Sequence, residues 1–307
     1  MDEMNQRDLR NALAEYLPLP AGTEPHLKEA LRSVLRNPGS LVRPEIVGKM
    51  FAAYGLPKTH ATELGIALEY FHTASLLFDD LPCMDDALER RGAPCIHVKF
   101  GEAEAILTAL ALINKAYELT WRAIVGCGQD RQLTALSYVA QCLGVGGLLN
   151  GQSMDLNYST LKHDLQTTER IAMGKTVSLI RLTLVLPGIL GGASPAELQL
   201  LDRVAICWGL SYQIVDDLKD VLHRPTESGK TGSRDVSLGR PNIALAAGVE
   251  GAVQRLIRLI SIGDRMLQRV VGLRPGAAFL QELRSQLNTE ADEIMASACE
   301  YSAQGVS

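Results

Sequence analysis

Proline is missing from the long stretch between Pro94 and Pro187, and aromatic residues make up only 5 % of the chain. Because proline interrupts helix and sheet hydrogen bonding alike, that gap leaves room for several full helices. Alternating Thr/Val-rich runs are absent too, which removes the main sequence support for strands. No CxxC pair occurs and no histidine stands at zinc spacing, so Cys83, Cys95, Cys127, Cys142, Cys207 and Cys299 read as single reduced thiols. A net charge of -5 is small and of the wrong sign for a nucleic-acid binder, which concentrates basic residues on one face. Arg181 interrupts the longest apolar segment, near residues 177–190, and Asp2 and Glu3 stand where a secretory signal would carry basic residues. No nucleic-acid partner, no membrane anchor and a cytoplasmic location are therefore expected.

What the chain does have is 307 residues with 47 % hydrophobic and 21 % charged content, enough for one large core. No internal stretch reads as a linker, so a single domain over 1–307 is expected. The apolar spacing gives an all-α protein with helices over about 7–16, 24–36, 44–54, 58–81, 101–126, 130–157, 165–186, 195–222, 242–271 and 276–302. Two of these are apolar almost all round, as helices enclosed by neighbours are. They run through residues 65–78 and 204–215, and each ends in adjacent aspartates.

Carboxylates at the C-terminal end of a buried helix sit at the negative pole of its dipole in surroundings that solvate charge poorly. A cation must offset them. Mg2+ suits the position, since it takes carboxylate oxygens and shares its remaining places with water and phosphate. Asp216 and Asp220 are i,i+4 and share a helix face, with Asp217 beside them. Asp85 is six residues after Asp79, roughly 240° around an ideal helix. Pro82 resolves the mismatch if the helix ends there and Asp85 swings back toward Asp79 and Asp80 from a turn.

At FHTASLLFDDLPCMDDALERRG, CIHVKFGEAEAIL, GQSMDL, GKT and YQIVDDLKD the sequence resembles the trans-isoprenyl diphosphate synthases, most closely the bacterial carotenoid-type geranylgeranyl diphosphate synthases. The similarity runs from about Asn37 to Asn242. It implies a helical bundle around a central cavity, usually as a homodimer, with the two aspartate motifs facing each other and three Mg2+ ions on the diphosphate of an allylic substrate. The implied reaction is head-to-tail condensation: the allylic diphosphate ionises, isopentenyl diphosphate attacks the carbocation, and proton loss leaves a longer allylic diphosphate. Position by position, Asp79, Asp80, Asp85, Asp216, Asp217 and Asp220 match the metal ligands. Arg90, Lys175 and Lys230 match cations on the allylic diphosphate, while Arg43, His72 and Arg91 match those on isopentenyl diphosphate. Thr176, Gln213 and Gln152 match polar residues at the reaction centre. Taken singly, these have plain alternatives: Arg90-Arg91 could be a solvated turn, the lysines surface residues, and His72 and the glutamines hydrogen-bonded core groups.

The sequence departs from the family where GGKRxRP is usual. Here residues 38–44 read PGSLVRP, so Ser40 replaces a lysine that grips isopentenyl diphosphate, and Lys28 or Arg36 could substitute for it. Arg234 and Arg240 stand where relatives often carry lysines, which keeps charge but changes donor geometry. One turn before Asp79, small residues Ala74 and Ser75 leave the expected floor of the tail cavity low, and Phe71 with Tyr70 lies a turn deeper. Geranylgeranyl diphosphate is the product this pattern favours, with farnesyl diphosphate second. A class I terpene cyclase and a non-catalytic partner subunit of a prenyl synthase are the alternatives. DDLKD over 216–220 and the Arg43/His72/Arg91 set speak against the cyclase, and retention of both aspartate sets speaks against the inactive partner.

Overall fold

A computed structural model describes residues 6–222 and 240–303, and the chain forms two compact units, Met1–Ala135 and Leu136–Ser307. In the first, α1 (Gln6–Glu15), α2 (Pro25–Val34), α3 (Val42–Ala53), α4 (Lys58–Asp79), α5 (Ile96–Phe100) and α6 (Glu102–Val125) follow in order. Helix α4 is the axis of this unit, packed between α3 and α6. Its buried residues go almost all the way round, from Leu64 through Leu77, which agrees with its unbroken apolar sequence. Gly65 is required where α3 crosses, because a Cβ there would stand 2.9 Å from the Cα of Pro44.

Helices α7 (Gln132–Leu143), α8 (Leu148–Leu156), α9 (Leu165–Ala172), α10 (Ser178–Leu190), α11 (Pro195–Leu222), α12 (Ile243–Leu273) and α13 (Phe279–Ala303) complete the order. In the second unit α11 is the central element, packed on α10, α12 and α13. Val177, Leu210, Ile214, Leu218, Ile243 and Leu256 form the middle of its core. Two runs, Gln129–Leu156 and Leu165–Leu190, are long and apolar enough to cross a membrane; the second is 67 % buried within the fold, as a core helix is.

Three local features differ from the sequence reading. The helix expected over 130–157 is two helices, because Gly144, Gly146 and Gly147 favour a break. A single turn of π-helix, Met173–Val177, interrupts the run expected as one helix over 165–186. A two-residue ladder pairs β1 (Glu89–Arg90) with β2 (Ala93–Pro94), Arg90 opposite Ala93. Its turn residues Arg91 and Gly92 both have positive φ, 53° and 73°, the conformation of a type I′ hairpin, with Arg91 in the place where asparagine is usual.

Candidate active site

Helix α4 ends at Asp79, and the chain then folds back on its last turn. The Asp85 amide donates to the Asp79 carbonyl at 2.9 Å and the Ala87 amide to the Asp80 carbonyl at 3.1 Å. Asp86 takes the strain of the reversal with φ 50°. Asp79 and Asp85 are thus returned to one neighbourhood despite their unfavourable spacing. Asp80 turns inward, 3 % exposed, where Arg90 grips one carboxylate oxygen through Nε at 2.7 Å and through its terminal nitrogen at 2.6 Å. Burial works against the Arg90 charge, and the Asp80 carboxylate more than offsets it.

The hairpin that supplies Arg90 also delivers Arg91. The Arg91 guanidinium donates to the Asn37 carbonyl at 3.0 Å and lies against Gly39, where a Cβ would stand 2.8 Å from its nitrogens. The segment that lacks the family lysine is therefore held directly under Arg91. Ser40 offers its carbonyl to Gln6 Nε2 at 3.1 Å, and Leu41 is buried with φ 53°. Arg36, a possible replacement donor, is exposed and bonded to Glu29 at 2.7 Å; Lys28 is half-buried on α2.

Arg43, Arg90 and Arg91 all act electrostatically on His72, and with burial as the larger cause they push its imidazole down to about 3. The buried anion facing Arg43 is Glu69, one turn before His72 on α4 and 3.8 Å away. Burial raises the Glu69 carboxyl, while Arg43 and then Arg91 oppose that rise. The sequence reading gave Glu69 no role. A charged residue inside an otherwise apolar buried helix was the signal for one.

A neutral His72 has a consequence for stability. Unfolded, it takes its proton near 6.5 and folded only near 3, so between those values the unfolded state binds more protons and stability falls as the pH falls. Going from pH 6.5 to 5 should cost about 1–2 kcal/mol through this group, since the unfolded imidazole is already half protonated at the upper value. His72→Gln is expected to lose less over that range in urea denaturation, and an equal loss would mean that burial and the neighbouring arginines do not hold the imidazole neutral.

On α4, Asp79, Ser75 and Phe71 recur every four residues on one stripe, while Ala74 and Tyr70 form the next stripe round. Ala74 is fully buried. Ser75 donates its hydroxyl to the His72 carbonyl at 2.8 Å. Phe71 meets Tyr117 of α6 edge-on, with centroids 4.9 Å apart. Tyr70 is committed elsewhere, its hydroxyl 2.6 Å from the Leu13 carbonyl of α1. Phe71 with Tyr117 is thus the aromatic pair beneath Asp79.

The three aspartates near the end of α11 divide. Asp216 is exposed and Asp220 half-exposed on one face, and desolvation followed by the Asp220 charge raises the Asp216 carboxyl. Asp217 points the other way, 1 % exposed. One of its oxygens accepts from the Ile243 amide at 2.6 Å and the other from Gln213 Nε2 at 2.8 Å. It caps the N-terminus of α12 together with Asn242, whose side chain accepts from the Leu245 amide. Burial, opposed by those two donors, pushes the Asp217 carboxyl up to about 7.

Gln213 continues the chain, accepting from the Thr176 hydroxyl at 2.6 Å. The π-turn that presents Thr176 and Lys175 rests on α8 at a glycine pair, since a Cβ on Gly151 would stand 2.7 Å from the Cα of Gly174. Lys175 bonds Asp155 on α8 at 3.0 Å, and Arg240 reaches the same carboxylate oxygen at 3.5 Å. Gln152 lies three residues before Asp155 on α8. Asp155 belongs to the quoted GQSMDL but was assigned no role, because spacing alone does not show which cations reach it. Lys230 and Arg234 lie outside the described residues.

In the first unit Asp79 and Asp85, and in the second Asp216 and Asp220, are pairs of hard carboxylates of the kind a divalent cation such as Mg2+ takes, although no group of three metal-binding side chains is assembled among the described residues; the raised Asp216 carboxyl marks a charge pair that a cation would relieve. Arginines and lysines already held on internal carboxylates fit a polyanionic ligand.

Comparison with known proteins defines the class. The fold matches a farnesyl/geranylfarnesyl diphosphate synthase of Zymomonas mobilis with a TM-score of 0.77 at 28 % identity, over 92 % of this chain and 95 % of that one. A geranyltransferase of Helicobacter pylori, in complex with magnesium and isoprenyl diphosphate, matches at 0.76 and 24 % identity over 94 % and 95 %. This is the all-α fold of the prenyl diphosphate synthases. The chain belongs to the polyprenyl synthetase family, whose sequence profile matches residues 24–266. It is 37 % identical to geranylgeranyl pyrophosphate synthase 11 of Arabidopsis thaliana over 228 residues, 73 % of this chain and 64 % of that relative. The chain thus spans slightly less than two thirds of that relative's length.

Proposed function

We propose that the protein is an Mg2+-dependent trans-prenyltransferase that joins isopentenyl diphosphate head-to-tail to an allylic prenyl diphosphate, with geranylgeranyl diphosphate as product. The observation that carries this reading is the sorting of cations by carboxylate: Arg90 on Asp80, Arg43 by Glu69, and Lys175 and Arg240 on Asp155, with Asp216 exposed. Bound Mg2+, three ions by the family pattern, would supply positive charge for the departing diphosphate. Asp79, Asp85, Asp216 and Asp220 are the residues to hold it.

Arg90, Lys175 and Arg240 bind and orient the allylic diphosphate, whose C–O bond breaks to leave an allylic cation. Thr176 and Gln213, fixed by the Asp217 bond, line the cationic carbon with oxygen dipoles. Arg43, Arg91 and neutral His72 bind isopentenyl diphosphate, whose double bond attacks that carbon to form the new C–C bond; the cation this leaves gives a proton to the released diphosphate, which restores an allylic double bond. Arg91, seated on Gly39, stands where the family lysine is missing.

The test is incubation of purified protein with Mg2+, isopentenyl diphosphate and each of dimethylallyl, geranyl and farnesyl diphosphate. Elongated diphosphates are expected; cyclic hydrocarbons or no turnover would sink the reading. We also propose a homodimer, supported by the exposed apolar residues Ile106, Leu110, Tyr117 and Trp121, which share one face of α6. Light scattering should give twice the 33.3 kDa chain mass.

Chain length is the sharper test of the tail assignment. Ala74→Tyr should shift the main product from C20 to C15, and Ser75→Phe, on the half-buried stripe above Phe71, should do the same with less overpacking. Unchanged products from both folded variants would show that these stripes do not line the tail.

A further inference from the structure

Asp155 is 6 % exposed, yet one of its oxygens serves two cations from different elements, Lys175 of the π-turn at 3.0 Å and Arg240 ahead of α12 at 3.5 Å. Around it the packing is closed, since a Cβ on Gly151 would stand 2.4 Å from the Lys175 amide nitrogen. Lys175 and Arg240 are themselves largely shielded, with side chains 30 % and 10 % exposed. Two such cations would repel each other and wander without a fixed anion between them. We propose that Asp155 is a positioning residue that holds Lys175 and Arg240 together at one point before substrate arrives, so that the incoming allylic diphosphate meets both cations in place. The inference rests on the proposed prenyltransferase reading of the same cations.

An internal anion has a specific kinetic consequence. It competes with the ligand for both cations, so it weakens binding, while it fixes their geometry, which serves the reacting state. The isosteric Asp155→Asn removes the charge and keeps the shape. The expected result is a 10- to 30-fold fall in kcat with the KM for the allylic substrate changed less than threefold.

Inorganic pyrophosphate in Mg2+ buffer, titrated calorimetrically, should bind the variant as tightly as the wild type or up to tenfold more tightly. In a Lys175→Met background the same substitution should change kcat less than threefold. A tenfold rise in KM or tenfold weaker pyrophosphate binding would overturn the proposal, as would a variant with lowered thermal stability and unchanged kinetics. Wild-type protein that turns over no allylic diphosphate would count against the reaction, and the pyrophosphate titration would then still decide the role of Asp155.

Discussion

Asp216→Asn is expected to lower turnover in the proposed reaction by about 10²–10³-fold, with no loss of fold stability. The carboxylate stands exposed on α11 with Asp220 on the same face, and among the described residues no hydrogen bond ties its side chain to another element. Desolvation and the neighbouring Asp220 already raise its carboxyl, so neutralising it relieves a local repulsion in the metal-free protein. In the proposed reaction the same change would remove a charged oxygen that could hold Mg2+, whose positive charge would matter most as diphosphate departs. Steady-state assays at saturating Mg2+ and urea denaturation without Mg2+ separate the two effects. A variant that keeps more than a third of wild-type turnover would remove Asp216 from the metal set.

One residue further along, Asp217→Ala destabilises the fold by about 2–3 kcal/mol. It strands two buried donors at once, the Ile243 amide at the N-terminus of α12 and Gln213 Nε2. It also removes a negative charge from the positive end of that helix. Asp217→Asn should cost less, because one oxygen remains to accept from Ile243. Both are read from urea midpoints without Mg2+. If Asp217→Ala unfolds at the wild-type midpoint, the carboxylate is not a cap, and its place among the metal ligands is restored on equal terms with Asp216.

These neighbouring aspartates show how much of the site was legible in the sequence. DDLKD gave the helix, the shared face of Asp216 and Asp220 and the chemistry of the cluster. It could not separate Asp217 from them, since the donor that claims Asp217 lies 26 residues away. The same holds for Arg90, whose hairpin rests on positive φ at Arg91, a residue with no strong preference for that conformation. It holds again for Tyr70, drawn from the tail by the Leu13 carbonyl of α1.

By itself the sequence determined the helical class, the two apolar helices that end in aspartates, and the residue types suited to a polyanionic ligand. Those follow from local spacing, which fixes helix faces, and from the poor solvation of charge at buried helix ends. Only the tertiary structure decided which carboxylates look outward and which are spent inside, with Asp80 on Arg90, Glu69 by Arg43, Asp155 on Lys175 and Arg240, and Asp217 on α12. The physical reason is that a buried carboxylate must face whichever cation or donor the rest of the chain brings near it, and no local pattern encodes that partner.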